Sequence, residues 1–158
     1  MQSFKLSYAG RGDIDLLAEH RKKMWLEIHP EYEKEVQATE KRTRRWIADQ
    51  LSKASLIGLV LRTANGEVAG SGCIWLREEQ PRPTSMRLVV PYLMSMYTVK
   101  RFRRRGVASL IVNSALEWCR KKNYDRIVLH ASKEGRSVYE GIGFEPSNEM
   151  RFRFPKGS

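Results

Sequence analysis

Several features are scarce or missing in this sequence of 158 residues, and each one excludes a class of protein. The only two cysteines, Cys73 and Cys119, have no metal-type spacing, so we expect reduced core residues in a cytosolic protein. The stretch MQSFKLSYAGRGDID has no apolar run after a basic start, unlike a signal peptide. No run of about 18 apolar residues is present for a membrane span. The sequence therefore predicts a cytoplasmic protein with no membrane partner.

Common nucleotide and hydrolase motifs are also missing. Neither G-x-x-x-x-G-K-S/T nor G-x-G-x-x-G occurs, and AGSGC is one residue short of G-x-S-x-G. His20, His29 and His130 share no ligand spacing with the cysteines, so no metal site is expected.

Positive charge is what the sequence has in excess. It has 29 Lys and Arg against 18 Asp and Glu, a formal charge of +11 that favours an anionic partner. A nucleotide cofactor, nucleic acid, an acidic protein and an anionic membrane surface all fit that description. The length and the 41% hydrophobic content fit one folded domain, residues 1–158.

The periodicity of the apolar residues predicts a single mixed α/β sheet with helices on its faces. Asn65-Gly66 between two apolar runs is a strong hairpin signal. The stretch 92–99 has the two-sided apolar character of a strand inside a sheet, and 125–131 is predicted as another central strand. In chain order we predict a strand at 4–8, helices at 13–29 and 35–54, strands at 55–64, 67–78 and 92–99, a helix at 106–122, a strand at 125–131, a helix at 132–142 capped by Ser132 and ended by Gly143, and a strand at 150–154.

A run of five cations precedes the predicted helix at 106–122. The start of a helix exposes unpaired backbone N–H groups and partial positive charge, which together bind anions. Gly106 and the small Ala108 keep the opening clear, and arginine side chains supply further contacts. The stretch RRRGVA therefore predicts a phosphate site, although a solvated charge run on a basic protein is the alternative.

The segment VKRFRRRGVASLI resembles the acetyl-CoA-binding segment of the GNAT superfamily of N-acetyltransferases, whose pattern Q/R-x-x-G-x-G/A falls on Arg103, Gly106 and Ala108. The segment VLHASKEGRSVYEGIGF is similar to the later strand and helix of that family, with Tyr139 shortly before Gly143-Phe144. The resemblance implies a GNAT-like fold with one mostly antiparallel sheet of six to seven strands and about four helices. It also implies acetyl-CoA as the co-substrate and no metal cofactor. A homodimer is possible, since dimers are common in this family.

The resemblance also implies roles for individual residues. Tyr139 would be the general acid that protonates the departing thiolate, and the phenol pKa near 10 suits that role. The diphosphate would bind the backbone after Arg103, and the pantetheine arm would pair with the preceding strand. Many relatives have asparagine at the position of Ser132, where a cofactor contact is expected. The implied cofactor-binding residues are Tyr97, Thr98, Val99, Arg103, Arg104, Arg105, Gly106, Val107, Ala108, Ser109 and Ser132.

A general base for the amine is harder to name. His130, close to Ser132, could act through water, although a lone histidine in a strand is often a structural residue. Glu27, Glu78 and Glu79 could face an acceptor pocket, but such glutamates are usually solvated.

The sequence thus predicts an N-acetyltransferase in which a primary amine attacks acetyl-CoA directly, with a small-molecule amine favoured as acceptor. A protein or peptide acetyltransferase, acting on an N-terminus or a lysine, is the alternative within the same family. Two alternatives belong to different functional classes. One is a basic nucleic-acid-binding domain, which only the net positive charge supports, and the other is a CoA sensor without catalytic activity.

Overall fold

The computed structural model describes residues 2–157 and contains one five-stranded sheet and four α-helices within them. The strand order is β1-β2-β3-β4-β5, antiparallel throughout except for the parallel pair of β4 and β5. The elements are β1 (Phe4–Tyr8), α1 (Ile14–Ile28), α2 (Glu33–Ser52), β2 (Leu56–Thr63), β3 (Val68–Glu78), β4 (Val89–Thr98), α3 (Val107–Lys121), β5 (Val128–Leu129) and α4 (Arg136–Ile142).

The prediction of six to seven strands is wrong for the described residues, because the stretch 150–154 is not a strand. Its period-two pattern is real, but Met150, Phe152 and Phe154 are 94%, 77% and 83% exposed. A pattern of alternation becomes a strand only where a neighbouring strand supplies hydrogen bonds and a core covers one face. The strand predicted at 125–131 is also shorter, since only β5 pairs with β4 there, at the sheet edge.

The hydrophobic core lies on both faces of the sheet, because β2 and β3 bury side chains alternately on each side. On one face, α3 packs with Val107 and Ile111 against Leu59 and Ile74. On the other, α1 and α2 pack against Val60. The cysteines lie in different layers, Cys73 under α1 and α2 and Cys119 in α3; both are buried and free, as predicted.

A β-bulge in the middle of β4 shapes the sheet where the functional residues gather. Cys73 pairs with Met94 and Ser71 with Tyr97, so Gly72 of β3 faces two residues of β4. Ser95, one of those two, has a φ of 56°. A Cβ at Gly72 would lie 2.5 Å from the Met96 sulfur, so a larger residue opposite the bulge would require the Met96 side chain to move. The extra residue bends β4 and changes the direction of its side chains.

Beyond the bulge, β4 and β5 separate. Their pairing consists of Tyr92 with Val128 and Leu93 with Leu129. From Met94 onward, β4 therefore has hydrogen-bonded strand contacts with β3 alone. The resulting gap opens one side of β4 toward the residues that follow β5.

Candidate active site

A cleft of about 840 Å³ lies in this gap, between α1 and α2 on one side and α4 on the other. Its floor is β4 around the bulge, from Tyr92 to Met96. The residues after β5, including His130 and Ser132, line it together with Tyr139 of α4. The cleft thus contains three of the site residues that were predicted from the sequence: His130, Ser132 and Tyr139.

Tyr139 lies partly buried in the wall of the cleft. Its ring packs edge-on against Phe144 with 5.8 Å between ring centroids, which fixes the ring through the Gly143 turn. Within residues 2–157 the Tyr139 hydroxyl has no hydrogen-bond partner. Burial raises the pKa of the phenol, so the group keeps its proton at neutral pH. A protonated hydroxyl without a protein acceptor is able to give its proton to a ligand.

His130 is hydrogen-bonded at both ring nitrogens. Nδ1 lies 2.6 Å from the Tyr92 hydroxyl, and Nε2 contacts the Glu149 carboxylate. An ionised carboxylate only accepts, so Nε2 carries the proton when the ring is neutral, and Nδ1 accepts the Tyr92 O–H. The hydrogen bond from His130 lowers the pKa of Glu149, and burial raises that of Tyr92. Tyr92 is thus the cleft-lining end of a hydrogen-bonded chain that ends at an exposed carboxylate.

The N-terminus of α3 has the backbone of an anion site. Arg104 and Gly106 both adopt left-handed conformations, with φ of 60° and 79°, and turn the chain sharply into the helix. Gly106 is the N-cap residue, and no side chain caps the helix there. The first N–H groups of α3 therefore have no partner within the helix and no capping group. This is where the phosphate cradle was predicted.

The five cations before α3 divide into two groups. Arg101 and Arg103 pair with the carboxylates of Glu67 and Glu27, and Arg105 donates to the Gln2 amide oxygen at 2.6 Å. The side chains of Lys100 and Arg104, by contrast, form no hydrogen bond or ion pair within residues 2–157. Lys100 and Arg104 are therefore the side chains of this run that remain open to an anion.

The end of β4 leads directly into this loop. Tyr97 and Thr98 pair with Ser71 and Gly70 of β3, and the Val99 N–H donates to Ala69. The Thr98 carbonyl turns away from β3 and accepts a hydrogen bond from Arg103 Nε at 3.1 Å. One edge of this stretch is thus bonded to β3, and its other edge faces the gap.

The remaining predicted site residues occupy distinct positions. Ser132 accepts the Gly135 N–H at 3.1 Å, in the turn before α4, and so stabilises that turn without being the N-cap residue, which is Gly135. Val107 is buried in the core, while Ala108 and Ser109 lie in the first turn of α3. None of Glu27, Glu78 and Glu79 lines the cleft, and Glu79 pairs with Arg126 instead.

Sequence reasoning missed the side of the cleft that α1, α2 and β3 form. Trp25 and Arg21 of α1, Trp46 of α2 and Trp75 of β3 line it. The tryptophans read as ordinary core residues from the sequence. Arg21 did give a signal, since it is a charged residue at an apolar position of the helical repeat of α1.

Comparison with known proteins identifies the class to which this fold and cleft belong. The family model described as Acetyltransferase (GNAT) family matches residues 17–144, and the chain belongs to this family. It is therefore an acyltransferase, as the resemblance implied. No curated protein matches the sequence.

Solved structures of the same fold cover nearly the whole chain. A GCN5-related N-acetyltransferase from Ralstonia eutropha matches with a TM-score of 0.88 and 22% identity, covering 96% of this chain and 99% of that one. A predicted acetyltransferase from Clostridium acetobutylicum, solved with acetyl-CoA, matches at 0.84 and 24%, with 96% of both chains covered. An aminoglycoside N-acetyltransferase in complex with CoA matches at 0.70 and 16%, covering 99% of this chain and 97% of that one.

Two further properties concern the residues from 2 to 157. No helix among them has the length and hydropathy to cross a membrane. They also contain no group of three or more His, Cys, Asp or Glu side chains arranged to hold a metal ion.

Proposed function

We propose that this protein transfers the acetyl group of acetyl-CoA to a primary amine of a small molecule by direct attack. The observation that carries the proposal is the position of Tyr139, whose unpartnered hydroxyl lies in a cleft that opens between β4 and β5. Acetyl-CoA supplies the activated thioester. The first turn of α3 would hold its diphosphate, with Arg104 beside it, and the free edge of β4 from Tyr97 to Val99 would pair with the pantetheine amides.

The chain's own residues account for both proton transfers of the reaction. The amine nitrogen attacks the thioester carbonyl, the C–N bond forms and the C–S bond breaks. Tyr139 donates its proton to the departing sulfur, and burial keeps it protonated until then. The amine loses its proton to His130 Nδ1 through the Tyr92 hydroxyl, and the Glu149 carboxylate stabilises the resulting imidazolium. The products are an N-acetylated amine and the free thiol of CoA.

The experiment that tests the cofactor is a thermal melt with and without acetyl-CoA at about 0.15 M salt, where loose charge attraction is screened. A ligand at about 100 times its Kd stabilises the native state by about 2.7 kcal/mol. ATP is the matched anion control. We expect a large shift with acetyl-CoA and little with ATP; equal shifts would indicate a generic basic surface and favour the nucleic-acid reading.

Turnover is tested separately, by the release of CoA thiol in the presence of a panel of amines. Thiol release with small amines supports the proposal. Thiol release only with peptides would indicate that the acceptor is a protein N-terminus or a lysine side chain. A thermal shift by acetyl-CoA without turnover of any amine would contradict the proposed catalysis and favour a CoA sensor.

A further inference from the structure

The lining of the acceptor side of the cleft, formed by α1, α2 and β3, has cationic side chains and no acidic one. Its lining includes two arginines, Arg21 and Arg42, and no aspartate or glutamate. Elsewhere the chain pairs its arginines with carboxylates, as at Arg44, Arg62, Arg103, Arg126 and Arg136. Arg21 and Arg42 have no acidic partner within residues 2–157, and they are the arginines without one that line the cleft.

Arg21 is the more enclosed of the two. Its guanidinium donates to the Ser95 hydroxyl at 2.9 Å and lies over the Trp25 ring, 5.9 Å from the ring centroid. Ser95 is the left-handed residue of the bulge, so the bulge helps to fix this guanidinium against the floor of the cleft. A guanidinium has five N–H donors. A partly buried charge with only a neutral partner gains most from an anionic ligand.

Arg42 lies opposite, on α2. It is exposed and lines the cleft together with Thr39 and Thr43 of the same helix. Arg45, one turn further along α2, is also exposed but does not line the cleft. The same helix thus offers one arginine that faces the cleft and one that does not.

Carboxylates close to the cleft contact other basic groups. Glu31 pairs with His29 at 3.0 Å, and Glu149 contacts His130. The adjoining groove between α1 and α2, which Arg21 also lines, includes Glu35 and Glu40, together with Lys22 and two basic residues of the C-terminal stretch. Glu40 already contacts Lys22 and Arg44, at 3.7 and 3.5 Å. The charge around the acceptor side therefore stays positive.

Aromatic rings form much of the acceptor side. Trp46 and Trp75 pack edge-on at 5.4 Å, and Trp75 packs in the same way against Tyr92 at 6.3 Å. Trp25 adds a further ring from α1. Such walls favour a flat or apolar molecular body over a strongly hydrated one.

We propose that the acceptor is a primary amine that also carries an oxyanion, either carboxylate or phosphate, which Arg21 and Arg42 bind beside the tryptophan walls. This inference rests on the proposed function, since it names the class of acceptor for that reaction. The oxyanion supplies the acidic partner that neither arginine has. Polycations such as aminoglycosides, polyamines and lysine-rich peptides are disfavoured, because they add positive charge to a cleft without acids.

The test is isothermal titration calorimetry on the complex of the protein with CoA, at about 0.15 M salt, with acceptors that differ in one charge. 4-(Aminomethyl)benzoate and 4-(aminomethyl)benzamide have the same ring and nearly the same amine basicity. O-phosphoethanolamine against ethanolamine tests phosphate in place of carboxylate, and spermidine serves as the polycation. We expect at least one oxyanion to bind about 10- to 100-fold more tightly than its neutral partner.

Four variants locate the effect. Arg21→Gln and Arg42→Gln are each expected to remove most of the oxyanion preference, whereas Arg45→Gln removes the same charge from α2 and leaves the preference intact. Arg42 is exposed, so its variant tests the idea even if Arg21→Gln fails to fold. Arg21→Lys, which keeps the charge but lacks the planar fork, is expected to retain part of the preference.

The inference is overturned if each oxyanion binds no better than its neutral partner or spermidine, if none binds, or if Arg45→Gln acts as strongly as Arg42→Gln. Thiol release distinguishes these results from failure of the proposed function. Turnover of neutral amines with no oxyanion preference contradicts the inference alone. Oxyanion binding that depends on Arg42, without thiol release from any amine, supports the inference as a binding site and contradicts the enzymatic proposal.

Discussion

The guanidinium of Arg103 contacts both carboxylate oxygens of Glu27, at 2.9 and 2.7 Å, and so joins α1 to the loop before α3. The same guanidinium donates to the Thr98 carbonyl at the end of β4. Three parts of the chain that surround the predicted cofactor site are thus held together by one side chain. This pairing also occupies Glu27, which sequence reasoning considered as a base.

We expect Glu27→Gln to change the cofactor site and leave the chemistry intact. An exposed ion pair contributes up to about 1 kcal/mol, so the Kd for acetyl-CoA should rise by up to about fivefold, while turnover at saturation stays the same. Calorimetry and steady-state kinetics measure the two effects. Glu67→Gln, which removes the partner of Arg101, is the matched control. If Glu27→Gln instead turns over about 100-fold more slowly, Glu27 belongs to the catalytic machinery after all.

Tyr139→Phe should separate binding from catalysis. The phenylalanine ring keeps the packing against Phe144 but has no proton to give to sulfur. We expect turnover to fall by about 10²- to 10⁴-fold, with the thermal shift by acetyl-CoA preserved. Tyr124→Phe is the control, because Tyr124 stacks on Trp118 outside the cleft. Normal turnover by Tyr139→Phe would refute the general-acid assignment.

Gly106→Ala should weaken both the fold and the cofactor site. The φ of 79° at Gly106 is one that side chains rarely adopt, and alanine there should cost about 1–2 kcal/mol of unfolding free energy. Denaturant titration measures that cost, and the acetyl-CoA melt measures binding. Gly12→Ala is the control, since Gly12 has no positive φ and open space around its Cβ position. If Gly106→Ala is as stable as Gly12→Ala, the left-handed N-cap is not required.

Stability should fall between pH 6.5 and pH 4 because of His20. The ring is 4% exposed, contacts the Ser71 hydroxyl at 2.7 Å, and has its pKa lowered by burial, and secondarily by the charge of Lys23, from 6.5 to about 4. In this window the unfolded chain binds a proton that the native ring does not, so the free energy of unfolding decreases as the pH falls. The full effect is about 3 kcal/mol.

His20→Gln should remove most of that pH dependence. The measurement is urea unfolding at about pH 7 and about pH 5 for the wild type and the variant. His29→Gln, a change at the surface end of α1, is the control and should keep the wild-type slope. Equal slopes for wild type and His20→Gln would show that other groups cause the acid sensitivity.

Local sequence patterns were sufficient for most of the fold. Asn65-Gly66 marked the turn between β2 and β3, and the predicted helix at 106–122 matches α3 within a residue at each end. These features depend on neighbours in sequence, such as turn geometry and helical periodicity. The prediction of a strand at 150–154 was wrong because a strand also needs a pairing partner, which the local alternation of residues does not specify.

A single sequence was enough to predict the family, most of the helices and strands around the cleft, and an anion site at the start of α3, because each of these predictions uses residues close together in the chain. The side of the cleft formed by α1, α2 and β3 could be found only in the tertiary structure. Arg21, Arg42 and Trp75 come from two helices and a strand, and only the packing of those elements over the bulge at Ser95 brings their side chains into one cleft. The charge of the cleft therefore depends on long-range contacts, which one sequence does not reveal.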